Sequence, residues 1–301
     1  MLTYSTVRSR FQPAHSLPNI RHVETREQYA VVPRRSHVNG SPTIAVSTGT
    51  PSMEPDVWRK DMRRAKERLG LGQILIASVI GTPEPEGNPE GLIADYTRCA
   101  VWAAEAGADV IEVHLAAPSP FGEPGQMIYE HIPLSAQILY RIRTTLSLPV
   151  VAKLGVFRTP RLLHETATKL SPWASGFALV PSIPRRVLDE KGNAAFEGRE
   201  TVDVVGASTY SACARQVEEM IAWRKAGAWD HAILAIGGIT SVERARDLLN
   251  EGASVALVDT AAIFDPLFAV RFRSTTLTLP RRAASPPAAA SVRPVRRSSL
   301  A

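Results

Sequence analysis

Cysteine is scarce: the 301-residue chain holds two, Cys99 and Cys213. Both fall in apolar helical patterns, where a thiol behaves as a small buried hydrophobe. They imply no disulfide framework, which fits a reducing compartment, and no cysteine–histidine spacing suggests zinc. No apolar run reaches the ~18 residues that mark a membrane span. The N-terminus lacks a signal-peptide apolar core. It is rich in arginine and serine, as transit peptides are, but shows no clear amphipathic helix. A cytoplasmic location is the resulting expectation.

A surplus of one charge is missing from the body of the chain. The formal net charge is +6, but its distribution is uneven. The segment from Ser274 carries five arginines and no acid. Residues 1–40 carry six arginines against Glu24 and Glu27. These two ends account for +5 and +4, which leaves −3 for residues 41–273. A nucleic-acid-binding body needs a basic stripe on the fold itself, and none is evident. Residues 274–301, rich in Ala, Ser, Pro and Arg, read as a disordered tail. Residues 1–40 have no sustained periodicity and read as an irregular segment.

Between the ends a rhythm repeats. Short β-branched apolar runs (Ile74–Ile80, Val110–Leu115, Val150–Leu154, Phe177–Val180, Ala232–Ile236 and Val255–Val258) alternate with longer amphipathic segments. Near-continuous runs of this length are the pattern of parallel strands buried on both faces. The helix candidates are Pro89–Ala106, Pro133–Leu146, Pro160–Leu170, Tyr210–Ala226 and Ser241–Asn250. Proline suits a helix start, where its missing N–H would be unpaired anyway. Gly107, Gly227 and Gly252 stand where helices stop.

Such alternation means a parallel α/β fold, either a closed barrel or an open doubly wound sheet. The glycine-rich dinucleotide fingerprint is absent after the early strands, while Gly237-Gly238-Ile239 follows a late one, where barrels bind phosphate. That favours a TIM (β/α)8-type barrel over residues 41–273. Six core strands are readable where eight are needed. Thr43–Ser47 is a candidate seventh, and within residues 1–40 only Tyr29–Val32 looks like a strand. The barrel is therefore expected to be incomplete or irregular at its N-terminal strands.

Six phrases, in order, resemble class 1 dihydroorotate dehydrogenases and the related domain of dihydropyrimidine dehydrogenase. Ile76-Ala-Ser-Val-Ile-Gly81 is similar to the family's third strand. Glu105-Ala-Gly-Ala-Asp-Val-Ile-Glu-Val-His-Leu-Ala-Ala-Pro118 is similar to its fourth helix–strand unit. Pro149-Val-Val-Ala-Lys-Leu154 resembles the flavin-lysine strand, and Pro184–Glu190 the segment after strand six. Ala235-Ile-Gly-Gly-Ile239 and Val258-Asp-Thr-Ala261 resemble the two phosphate-binding turns.

The resemblance implies FMN at the carboxyl ends of the strands. Lys153 matches the lysine that contacts the flavin ring, where a cation stabilises the reduced ring; a strand-end lysine reaching for solvent is the plainer reading. Gly206, Gly237 and Gly238 match the phosphate turns, although a tight turn alone also asks for glycine. Ser182 matches a polar residue near the flavin, and Thr260 the threonine of the final turn. Before it stands Asp259, where the family has glycine. A carboxylate beside a phosphate is repulsive unless paired.

The substrate side departs further. The family's catalytic cysteine falls on Ala117, which cannot take a proton. The four asparagines that clamp orotate fall on Val46, His114, Ser119 and Pro181. Asparagine offers a donor and an acceptor to a pyrimidine edge; valine and proline side chains offer neither. His114 is a candidate acid/base, or a hydrogen-bonded strand-end histidine. Glu112 shares its strand face and is placed to pair with Lys153. Gly122, Pro124, Gly125 and Gln126 resemble the start of the family's active-site loop.

Three readings follow. The first is an FMN-dependent oxidoreductase of CH–CH groups, acting on a cyclic amide or pyrimidine-like small molecule other than dihydroorotate. The second is a non-redox barrel serving as a binding or accessory protein. The third is a true dihydroorotate dehydrogenase with an unusual site. A homodimer or an electron-transfer subunit is the partner that the resemblance implies.

Overall fold

The computed structural model describes residues 1–34, 42–123, 125–227 and 229–276. Seven parallel strands form the main sheet: β1 (Leu2–Val7), β2 (Leu75–Val79), β3 (Val110–His114), β4 (Val150–Leu154), β5 (Gly176–Leu179), β6 (Ala232–Ile236) and β7 (Val255–Leu257). They neighbour one another in chain order, and helices cross between them. This is a TIM-like α/β barrel, incomplete because β1 and β7 end the hydrogen-bonded order among the described residues. No helix of the described residues is long and apolar enough to cross a membrane.

Alternation along each strand sorts the side chains into two cores. Leu75, Ala77, Val79, Ile111, Val113 and Ala152 belong to the large core with the helices. Ile76, Val151, Ala178 and Leu234 form a separate cluster, the one that lines the barrel axis. Each large aliphatic side chain buried this way contributes about 1.5–3 kcal/mol. The crossing helices start as their sequences dictate. Asn88, Thr159 and Ser241 cap three of them by accepting from the backbone N–H of Gly91, Leu162 and Arg244, each worth about 1 kcal/mol.

A second sheet of six short strands has the order Ile20–His22, Thr43–Val46, Thr201–Gly206, Ile183–Leu188, Tyr29–Val31, Glu24–Thr25. Its strands come from two insertions, one after β1 and one after β5. Both insertions leave from carboxyl ends of barrel strands, so the sheet caps that end. It has a core of its own around Ala30, Ala45, Val187, Phe196 and Val204.

Three expectations are corrected here, and one helix is added to them. Thr43–Val46 is not a barrel strand, because it pairs antiparallel with Ile20–His22 and with Thr201–Gly206 in the cap. Residues 1–40 are not irregular throughout, because Leu2–Val7 is the barrel's β1 and three further strands lie in the cap. The β1 sequence Leu-Thr-Tyr-Ser-Thr-Val hides its role because the layer it meets is polar: Thr6 Oγ1 lies 3.0 Å from Ser78 Oγ. The helix Pro55–Glu67 went unread because it buries only Trp58 and Met62, and charged side chains cover its other faces. Ser274–Thr276 close a helix from Phe268, and the remainder of the expected tail lies outside the described residues.

Candidate active site

Two walls of the barrel mouth carry the residues singled out by sequence. The first is made of side chains on β3 and β4. Glu112 and His114 are two apart, so they share a face, and the register places His114 beside Lys153 and Glu112 beside Ser78. Lys153 Nζ meets Glu112 Oε1 at 2.6 Å, with residue exposures of 8% and 0%. Neither oxygen of Glu112 has a hydrogen bond of good geometry among the described residues. A buried pair of this kind gains little over an apolar one, but removing one partner strands a charge.

His114 sits above that pair. Tyr96 Oη donates to its backbone carbonyl at 2.8 Å, and its Nδ1 has no partner among the described residues. Burial lowers the imidazole pKa to about 3, with the nearby charges of Lys153 and Arg8 acting in the same direction. The ring is thus neutral at physiological pH and a weak base, which narrows its use as a proton carrier.

Arg8 is the residue that sequence reasoning missed. It stands just beyond β1, the strand that could not be read. Its Nε donates to the Thr50 carbonyl at 3.0 Å, and its Nη1 to the Gly81 carbonyl and Thr82 Oγ1, each at 3.1 Å. No carboxylate pairs with it among the described residues. Burial pulls its pKa down from the ordinary arginine value.

The second wall is made of turns. Gly206, Gly237, Gly238 and Thr260 line one cavity of about 20 Å³, with Pro181 and Asp259. Gly237 and Gly238 have φ of +133° and +66°. A Cβ on Gly238 would lie 2.3 Å from the Tyr210 amide nitrogen, and one on Gly237 2.1 Å from the Val180 carbonyl oxygen. Glycine is therefore demanded by the fold itself at both positions. The backbone N–H groups of Gly238, Ile239 and Thr240 have no acceptor among the described residues. Arg244 braces this turn, donating to the Gly238 carbonyl at 2.9 Å and to Thr240 Oγ1 at 3.0 Å over the face of Tyr210.

Other expected residues lie apart from these walls. Ser182 Oγ donates to Asp203 Oδ1 at 2.8 Å in the cap. Val46 is paired with Asp203 and Ile20 in the same sheet. Ala117 accepts from the Ile128 N–H at 2.8 Å, and Ser119 donates its N–H to the Gln126 carbonyl at 2.7 Å. The segment that resembles the start of an active-site loop is thus tied into a folded turn; Pro124 lies outside the described residues. Among the described residues no group of three or more His, Cys, Asp or Glu is placed to hold a metal.

An incomplete TIM-like barrel with its polar groups at the carboxyl ends of the strands is a common enzyme scaffold. No protein-family model matches the chain. It is similar to a protein named dihydroorotate dehydrogenase from Dictyostelium discoideum, with 26% identity over 297 residues. The match covers 90% of this chain and 77% of that relative. The likeness runs along most of both chains and supports a distant resemblance to dihydroorotate dehydrogenases.

The cofactor that the resemblance implies, FMN, meets a mixed reception. Unpaired N–H groups suit a flavin's oxygen-rich parts. The phosphate is opposed by Asp259, which puts a like charge on the cavity rim.

Proposed function

We propose that the chain is a flavin-dependent oxidoreductase of dihydroorotate dehydrogenase type whose substrate is not dihydroorotate. FMN is the flavin that the resemblance implies. The substrate class is a cyclic amide or pyrimidine-like small molecule, with a homodimer or electron-transfer subunit as partner and the cytoplasm as location. One observation carries the reading: four positions in three separate segments that resemble flavin-binding turns, Gly206, Gly237, Gly238 and Thr260, line a single cavity.

The chain's own residues have limited roles in this reading. Lys153 is ion-paired with the buried Glu112, which fixes its ammonium at the end of β4. The backbone N–H groups of Gly238, Ile239 and Thr240 have no acceptor among the described residues and can donate to ligand oxygens. Ala117 and Pro181 offer no proton and no pyrimidine clamp, which argues against dihydroorotate. Losing several such contacts costs about 1–3 kcal/mol each.

A second reading, a non-redox barrel, is favoured by Asp259 in the turn and by Ala117 at the position of the base. The visible absorption spectrum of the purified protein, with riboflavin or FMN added and the excess removed, separates the two. Retained oxidised-flavin bands that weaken in Lys153→Ala are the expected result. A folded protein that retains neither flavin would overturn the oxidoreductase reading.

A further inference from the structure

We propose that the turn around Asp259 selects a hydroxyl-terminated flavin, riboflavin, over the phosphorylated one. The inference rests on the flavin reading above and deepens it.

Three features of the cavity point the same way. Its rim carries Asp259 beside the Gly206 and Gly237–Gly238 turns, so a group bound there meets a carboxylate as well as backbone amides. Its polar groups are of both kinds. The N–H groups of Gly238, Ile239 and Thr240 can donate, and the Asp259 carboxylate can accept; neither side has a partner among the described residues. A hydroxyl donates and accepts, so it satisfies both sides at once. A phosphate dianion only accepts, so it satisfies the amides and leaves the carboxylate facing like charge. Finally, the walls cannot retreat easily. The Cβ space at Gly206, Gly237 and Gly238 is already taken by the carbonyls of Pro42 and Val180 and the amide of Tyr210. Arg244, the nearby cation, spends its Nη1 on the Gly238 carbonyl and Thr240 Oγ1 and makes no ion pair with Asp259.

Asp259 is exposed, so its repulsion is screened by water and salt. Coulomb's law at about 5 Å in water, for a dianion against one carboxylate, amounts to roughly tenfold in affinity. Asp259 is not in the positive-φ region, and Asp259→Asn keeps its shape, so the variant tests charge without disturbing the fold.

The experiment is a fluorescence-quenching titration of the purified full chain with riboflavin and with FMN, at low and at high salt. Riboflavin is expected to bind wild type at least tenfold more tightly than FMN at low salt. Asp259→Asn is expected to close most of that gap, as high salt should in part. Equal or tighter FMN binding to wild type would overturn this inference and leave the flavin reading standing. If neither flavin binds wild type or Asp259→Asn, while circular dichroism shows both folded, the flavin reading itself falls.

Discussion

The two walls of the barrel mouth are built on different physical principles. The turn wall is backbone: Gly237 and Gly238 are fixed by conformation and by the Val180 and Tyr210 backbone pressed against them. The side-chain wall is charge: Glu112 and Lys153 hold each other in a place where neither would stay ionised alone at low cost. The first wall depends on the absence of side chains, so almost any substitution disturbs it. The second depends on balance, so losing one partner hurts more than losing both. A resemblance between sequences reports the first kind well, because glycines at turns stand out. It reports the second poorly, because a buried pair is a relation between two strands.

The largest expected effect tests that balance. Glu112→Leu leaves the Lys153 ammonium buried alone and should cost about 3–5 kcal/mol, whereas Glu112→Leu with Lys153→Met should recover most of it. Urea unfolding of both variants measures this, and a single variant within about 1 kcal/mol of wild type would break the comparison. Next is Gly238→Ala on the other wall. The added methyl meets the Tyr210 backbone at a φ that L side chains rarely adopt, so about 3 kcal/mol should be lost. No second substitution of the side-chain type should rescue it; recovery by trimming Tyr210 to alanine would show that ring packing, not backbone, sets the demand.

His114 gives a smaller, pH-dependent effect. Its folded pKa, about 3, lies below the unfolded value near 6.5. The unfolded chain therefore takes up the proton first as pH falls. This contribution to stability is fully present above about pH 6.5 and is lost progressively from there toward about pH 3, by at most about 1.4 kcal/mol per pH unit. His114→Asn should flatten that part of the stability–pH curve. An unchanged slope would mean that other groups dominate acid unfolding. The smallest effect is expected at Ser182→Ala, which removes one exposed hydrogen bond to Asp203 and should change stability by about 1 kcal/mol or less. Flavin retention should not change with it; a loss would return Ser182 to the mouth.

Much of the barrel was legible residue by residue. The runs at Leu75–Val79, Val110–His114, Val150–Leu154 and Ala232–Ile236 are strands within a residue or two of where the apolar pattern put them. So are the helices opened by Pro89 and Pro160. They were legible because a strand buried on both faces has no polar positions to confuse it. β1 was not, since its inward residues meet Ser78 rather than hydrocarbon. The cap strands were not, since each is short and gains its core only when two insertions far apart in the chain come together, as Val46 does with Asp203. In the site, the glycine turns were legible and their shared cavity was not. Arg8 was invisible because its strand was.

By itself, then, the sequence determined the alternation of strand and helix, the glycine turns and the alanine at position 117, where the resemblance implies a base. All are local: each is set by periodicity, by a φ that only glycine tolerates, or by the chemistry of one side chain. Only the tertiary structure decided that Thr43–Val46 leaves the barrel, that Lys153 is neutralised by Glu112, that His114 is kept uncharged, and that Asp259 shares a cavity with the glycine turns. Each of those depends on burial and on distances between segments far apart in the chain, which no local pattern encodes.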